Sequence, residues 1–209
     1  MTSIFIAYKY AQKPGTVGFP LPDVKVKIDS KDNKEEGEIL VKTPTIMLGY
    51  YKNEEATKEA IVDGWFHTGD IGYIDKEGYI TITGRKKDMI ALKNGKKIFP
   101  EEIESLINKL PYVSESMVFG KIENTKNDRN EDVVLWAKIV YDKEKIKNYA
   151  DDESKYYDII LKDIKSEVNK QMPAYKYIRD IIITDTPLIK PTTLKIKRHE
   201  EIKLIENNK

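Results

Sequence analysis

Four short segments of this chain carry groups that could do chemistry. Asp70 closes the triplet Thr68-Gly69-Asp70, and a carboxylate there can accept two hydrogen bonds from a vicinal diol. The same triplet also reads as a plain turn whose aspartate bonds its own backbone. Lys195 lies between Pro191-Thr192-Thr193-Leu194 and Ile196-Lys197-Arg198. Its ammonium is a compact point charge suited to a phosphoryl group on which negative charge accumulates, although a lysine in so lysine-rich a chain also reads as a surface residue. Asn94-Gly95 sits among Lys93, Lys96 and Lys97. It is either a lysine-rich β-turn or a place where a backbone without a Cβ admits a thin ligand while the lysines meet its phosphates. The run Arg85-Lys86-Lys87 reads as a solvated turn or as a short joint between two bodies. There is no cysteine, and His67 and His199 are the only imidazoles, so a thiolate nucleophile, a thiolate metal site and a disulfide framework are excluded.

The elements that must position these residues are legible in part. Thr16-Val17, Val24 to Ile28 and Glu38 to Lys42 read as strands, and Asn53 as the N-cap of a short helix through Ala60. Tyr79 to Thr83 is a β-branched alternation that stops at Gly84. Beyond the apolar segment Met89 to Leu92, Pro100 opens a helix with Glu101 and Glu102 in its first turn. Ile103, Leu106, Ile107 and Leu110 then recur at helical spacing. Val113 to Phe119 and Val133 to Val140 read as strands joined by a polar loop, Tyr156 to Val168 as an amphipathic helix, and Ile178 to Thr184 as a further strand before a charged terminal helix. The expected fold class is α+β: a small β-rich subdomain over residues 1–86, then an α+β domain over residues 87–209.

Taken in order, the motifs resemble the adenylate-forming enzymes, a family of acyl-CoA synthetases, luciferases and peptide-synthetase adenylation domains. The resemblance runs from Gly15-Thr16-Val17-Gly18 through Gly37-Glu38-Ile39-Leu40-Val41 and Gly49-Tyr50-Tyr51 to Gly64-Trp65-Phe66-His67-Thr68-Gly69-Asp70. It continues in Gly84-Arg85-Lys86-Lys87-Asp88, in Ile98-Phe99-Pro100-Glu101-Glu102-Ile103-Glu104 and in Pro191 to Arg198. It implies that residues 1–86 end the family's large N-terminal domain and that residues 87–209 form its mobile lid. It also implies that Asp70 and Arg85 bind the ribose and phosphate of ATP, that Ile82 lies near the nucleotide and that Lys87 is the hinge. Lys195 is then the catalytic lysine of adenylate formation, and Asn94 and Gly95 meet the pantetheine arm of CoA. Where the family usually has a glycine before the lysine, this chain has Leu194. The family's phosphate loop, its adenine-binding strand and the segment that ligates Mg2+ are missing, and no Gly-x-x-x-x-Gly-Lys-Ser/Thr loop replaces them.

The resemblance therefore implies a piece of an ATP-dependent, long-chain type fatty acid-CoA ligase, inactive without its N-terminal body. The alternatives are an adenylation enzyme that loads a carrier protein and a stand-alone nucleotide or CoA-binding module. Within the 209 residues, 36 basic against 35 acidic side chains give no overall electrostatic attraction to nucleic acid or an anionic membrane. No apolar run is long enough to span a bilayer, so the expectation is a cytoplasmic protein, at most peripheral to a membrane.

Overall fold

The computed structural model describes residues 5–6, 13–30, 35–124, 131–192 and 195–207. Met1-Thr2-Ser3, residues 125–130 of the expected polar loop, Thr193 and Leu194 lie outside them. The chain divides into two compact units, Met1–Asp88 and Met89–Lys209.

In the first unit, β1 (Phe5–Ile6) pairs with β2 (Phe19–Pro20). A larger antiparallel sheet is built from β3 (Lys25–Asp29), β4 (Gly37–Lys42), β5 (Ile61–Val62), β6 (Trp65–Ile74) and β7 (Ile80–Arg85). Strand β6 organises it: β4 lies along one side, while β5 and then β7 share the other. Side chains alternate between faces of a strand, so Val26 and Ile28 join Ile39 and Val41 in one apolar cluster with Ile80. Glu38 and Leu40 point to the opposite face of β4 and are buried too. Helix α1 (Glu54–Ala60) begins where expected, the Asn53 side chain accepting the Ala56 N–H at 3.0 Å. Thr16-Val17, expected as a strand, is not one: Thr16 lies in a bend after the turn at Gly15, which has φ +85°. Contact with β7 is limited there to an isolated bridge of Gly18 with Ile80, in which the Val17 N–H donates to the Ile80 carbonyl at 2.8 Å.

The second unit opens with a small hairpin, β8 (Ile90–Ala91) and β9 (Lys97–Ile98), followed by α2 (Pro100–Ile107). Its centre is a sheet of β10 (Val113–Asn124), β11 (Glu131–Tyr141) and β12 (Ile178–Thr184), in that order. Strands β10 and β11 are antiparallel, whereas β12 runs parallel to β11. A parallel return needs a long crossover. Helices α3 (Lys143–Ile146) and α4 (Tyr156–Asp163) and a π turn over Ile164–Val168 supply it. Helix α5 (Arg198–Asn207) ends the described chain.

The sheet is covered on both faces. One carries the main core, with Ile103 and Ile107 of α2, Tyr156 and Ile160 of α4, and Ile139 and Ile181 of the sheet. The other carries a smaller cluster of Met117, Phe119, Val140 and Leu188, against which Trp136, Ile196, Ile202 and Ile205 pack. Tyr156, Ile160, Ile164 and Val168 are all buried at a strict spacing of four residues. In a regular α-helix that spacing drifts by about 40° per step, and the wider π turn takes up the drift. The single α-helix expected over this stretch is for that reason two kinds of helix.

Candidate functional site

The first unit brings Asp70 and Arg85 together. They are cross-strand neighbours in the β6–β7 pairing, and the Arg85 Nε lies 2.9 Å from the Asp70 Oδ1. Both side chains are partly exposed, at 24% and 34%, so a ligand can reach them. Their register depends on a shift between Ile71 and Gly72. A Cβ at Gly72 would stand 2.1 Å from the Thr81 carbonyl oxygen, so only glycine allows the strands this approach. The Thr68-Gly69-Asp70 triplet is both strand and turn: it lies within β6, yet Gly69 has φ +71°. The Thr68 hydroxyl donates to the Ile39 carbonyl at 2.8 Å and accepts the Asp70 N–H at 3.0 Å.

Beneath this pair is a residue that sequence reasoning did not single out. Glu38, 6% exposed, accepts the Gly69 N–H at 3.1 Å and the Lys86 ammonium at 2.8 Å, with the His67 Nδ1 at 3.3 Å. Burial pushes its carboxyl up, but the Lys86 ammonium, His67 and the Gly69 N–H outweigh burial and hold it below the usual glutamate range. Glu38 thus ties the Gly69 turn to the basic run that follows β7. Ile82 lies on β7 opposite Gly72 and is 38% exposed. Lys87 is the middle residue of a single 3-10 turn, Lys86–Asp88, and is exposed.

In the second unit, Asn94-Gly95 forms the tip of the β8–β9 hairpin. The Leu92 N–H donates to the Lys96 carbonyl at 2.9 Å, the Gly95 N–H to the Leu92 carbonyl at 3.0 Å, and the Asn94 Oδ1 accepts the Lys96 N–H at 3.0 Å. Gly95 has φ +77°, and nothing lies within 4 Å of the place a Cβ would take. This tip forms one wall of an open groove of about 750 Å³. Lys93, Lys165, Lys170 and Arg179 line it together with Tyr175, and no carboxylate does among the described residues. The pairing of the hairpin tip with cations carried on the crossover and on β12 was not visible in the sequence, because they lie far apart in the chain.

Lys195 is exposed, on the segment that joins β12 to α5. The segment is fastened on both sides of it. Before Lys195, Lys190 pairs with Glu115 at 2.7 Å, the Leu188 N–H donates to Glu115 at 3.1 Å, and the Ile189 N–H donates to the buried Glu201 at 2.6 Å. After it, Ile196 packs into the smaller cluster, the Lys197 N–H donates to the Ile189 carbonyl at 2.9 Å, and Arg198 forms two 2.7 Å bonds to Glu104 of α2. Glu104 is another residue that the sequence reading left aside. The signal was present: with Pro100, Ile103 and Ile107 it completes a buried helical stripe. Among the described residues no group of three His, Asp or Glu side chains is placed to hold a metal ion.

Comparison with known proteins finds relatives and solved structures similar to this chain. The 2-succinylbenzoate–CoA ligase of Bacillus cytotoxicus is 44% identical over 118 residues, covering 54% of this chain and 24% of that protein. A long-chain-fatty-acid–CoA ligase of Mycobacterium tuberculosis is 43% identical over 108 residues, covering 52% of this chain and 17% of its own length. The chain thus spans about a quarter or less of these relatives. Among solved structures, an anthranilate CoA ligase in complex with anthranoyl-AMP superposes with a TM-score of 0.75 at 25% identity, over 96% of this chain and 36% of that one. The o-succinylbenzoate CoA synthetase of Bacillus subtilis, in complex with its acyl-adenylate intermediate, gives 0.68 at 27% identity, over 90% and 35%. Residues 87–203, which hold the hairpin tip, the sheet and the Lys195 segment, match the family model of the AMP-binding enzyme C-terminal domain, and the chain belongs to that family.

Proposed function

We propose that this chain is the C-terminal part of an ATP-dependent acyl-CoA ligase, in which residues 1–86 close the nucleotide-binding body and residues 87–209 form a lid that turns about Lys87. The observation that carries the reading is the Asp70–Arg85 pair, held side by side at 2.9 Å and open to a ligand. A carboxylate can accept both hydroxyls of a ribose, and a guanidinium beside it can donate to ribose and phosphate. Ile82, exposed on the same strand, offers an apolar contact near the nucleotide.

In the first half-reaction the substrate carboxylate attacks the α-phosphate of ATP, pyrophosphate leaves, and an acyl-adenylate forms. Two anions meet in that step, and the Lys195 ammonium offsets the charge that builds on the phosphoryl group. Magnesium would assist from ligands on the body, outside this chain. In the second half-reaction the CoA thiol attacks the acyl carbonyl and AMP leaves. The Asn94-Gly95 tip is the element that would meet the pantetheine arm, and the cationic groove behind it suits the phosphates of CoA. A fatty acid is the substrate class that the sequence motifs favour, and the names of the relatives extend the choice to aromatic acids. A cytoplasmic site of action, with at most peripheral membrane contact, fits this reading. No helix among the described residues is long and apolar enough to cross a membrane.

The test joins the chain to an ATP-binding body of the family and supplies ATP, magnesium, CoA and a panel of long-chain, short-chain and aromatic acids. Acyl-CoA should form with at least one acid, with AMP and diphosphate as co-products. Pyrophosphate exchange without acyl-CoA would instead assign the acyl group to a carrier protein, and nucleotide binding without exchange would assign the chain to a binding module.

A further inference from the structure

We propose that Glu104 and Arg198 are positioning residues for Lys195, a buried carboxylate–guanidinium pair that fixes the base from which the exposed ammonium works. The proposal rests on the role given to Lys195 above and adds the device that aims it.

Strand β10 is an edge of its sheet, so the backbone groups of Val118 that point away from β11 meet no further strand. Glu104 and Arg198 take the place of that strand. The Glu104 Oε1 accepts the Val118 N–H at 2.7 Å, and the Arg198 Nη1 donates to the Val118 carbonyl at 3.2 Å. The two side chains close the ring through a pair of bonds of 2.7 Å each. Only 9% of the Glu104 side chain and 15% of that of Arg198 remain accessible. A planar fork meeting a planar carboxylate at two points sets orientation as well as distance, which a single-point lysine cannot do.

The fixed Arg198 is the first residue of α5 and stands three residues after Lys195. Between them, Ile196 is seated in the cluster on the second face of the sheet, and the Lys197 N–H reaches back to Ile189. Lys195 thus precedes a backbone held from Ile196 onward, while its own side chain stays exposed. The pair also satisfies the Val118 N–H and carbonyl, which apolar residues could not do. Its two-point geometry in addition sets the direction in which the neighbouring segment leaves the sheet edge.

The test has two arms. In the 209-residue chain by itself, amide hydrogen exchange is compared for the natural sequence, Glu104→Gln, which keeps the shape, and Arg198→Lys, which keeps the charge. The Lys197 and Ile189 amides should exchange about tenfold faster in either variant while amides within β11 change less than about twofold. Unchanged exchange at Lys197 and Ile189 in Arg198→Lys overturns the proposal, and that variant decides the matter if Glu104→Gln does not fold. In the complete ligase, either variant should lose about tenfold or more in kcat for pyrophosphate exchange with little change in the KM for ATP, yet keep thioester formation from supplied acyl-adenylate and CoA. Equal loss of both steps in a folded variant also overturns it. If Lys195→Ala itself spares pyrophosphate exchange, the role of Lys195 is what fails, and the exchange arm still decides whether the pair holds the segment.

Discussion

Replacing Glu201 by alanine should destabilise the second unit by about 3 kcal/mol. Glu201 is 2% exposed, and its two oxygens are each used once: Oε2 takes the Lys138 ammonium at 2.6 Å, and Oε1 takes the Ile189 N–H at 2.6 Å. Removing one partner of a buried ion pair typically costs about 3–5 kcal/mol, because the other charge is left without compensation. The Lys138 side chain keeps 17% of its accessibility and can regain some water, which places the expectation at the lower end. The Ile189 N–H would also lose its acceptor, at the start of the segment that carries Lys195. Urea unfolding followed by Trp136 fluorescence, in a Trp65→Phe background that removes the only other tryptophan, reads the change beside α5. With a slope of about 2 kcal/mol per molar, the midpoint should fall by about 1.5 M. The control is Glu144→Ala, whose pair with Lys147 at 2.9 Å lies in solvent and should leave the midpoint where it was. Equal shifts for the two variants would refute the reasoning, since Glu201 differs from Glu144 in its burial and in the Ile189 N–H that it accepts.

Two further outcomes follow from the first unit. Glu38→Gln should cost about 1–2 kcal/mol at pH 7 through its lost charge-assisted bonds. Because the folded carboxyl sits below the free value of 4.5, that contribution is whole above pH 4.5 and fades as the pH falls through the folded value, so the unfolding curves of the two proteins should converge in acid. Gly72→Ala should separate β6 from β7, since the new Cβ would lie 2.1 Å from a backbone oxygen, and should cost several times more than Gly95→Ala. The latter meets open space and bears only the penalty of its positive φ, about 1–2 kcal/mol. Thermal unfolding of both variants checks the order.

How much of this was legible in the sequence depends on whether the signal was local. Helix α2 was, because Pro100, the two acidic residues after it and the spacing of Ile103 and Ile107 all act within three turns. Strand Ile178–Thr184 was equally plain as a β-branched run, yet its parallel pairing with β11 was not, since nothing local encodes the crossover. The ten-residue strand β6 escaped because Gly69 and Gly72 and the polar residues around them break the alternation. Those same glycines produce the turn and the close approach that bring Asp70 opposite Arg85. The site residues were accessible only through motif order, and their buried partners less so. Glu38 and Glu104 were passed over because a carboxylate normally marks the solvent face, and each is buried here only because a cation from a distant part of its own unit meets it.

On the function proposed above, the second unit serves two half-reactions with different residues, Lys195 for the adenylate and the Asn94-Gly95 tip for the thioester. Partial reactions of the complete ligase carrying Lys195→Ala or Gly95→Leu test it most directly. Lys195→Ala should abolish pyrophosphate exchange and still convert supplied acyl-adenylate and CoA to thioester, because the charge it offsets no longer exists once pyrophosphate has left. Gly95→Leu should keep exchange and lose thioester formation. Either variant depressing both steps equally, while remaining folded, would contradict the division of labour and the turning of the lid about Lys87 that follows from it.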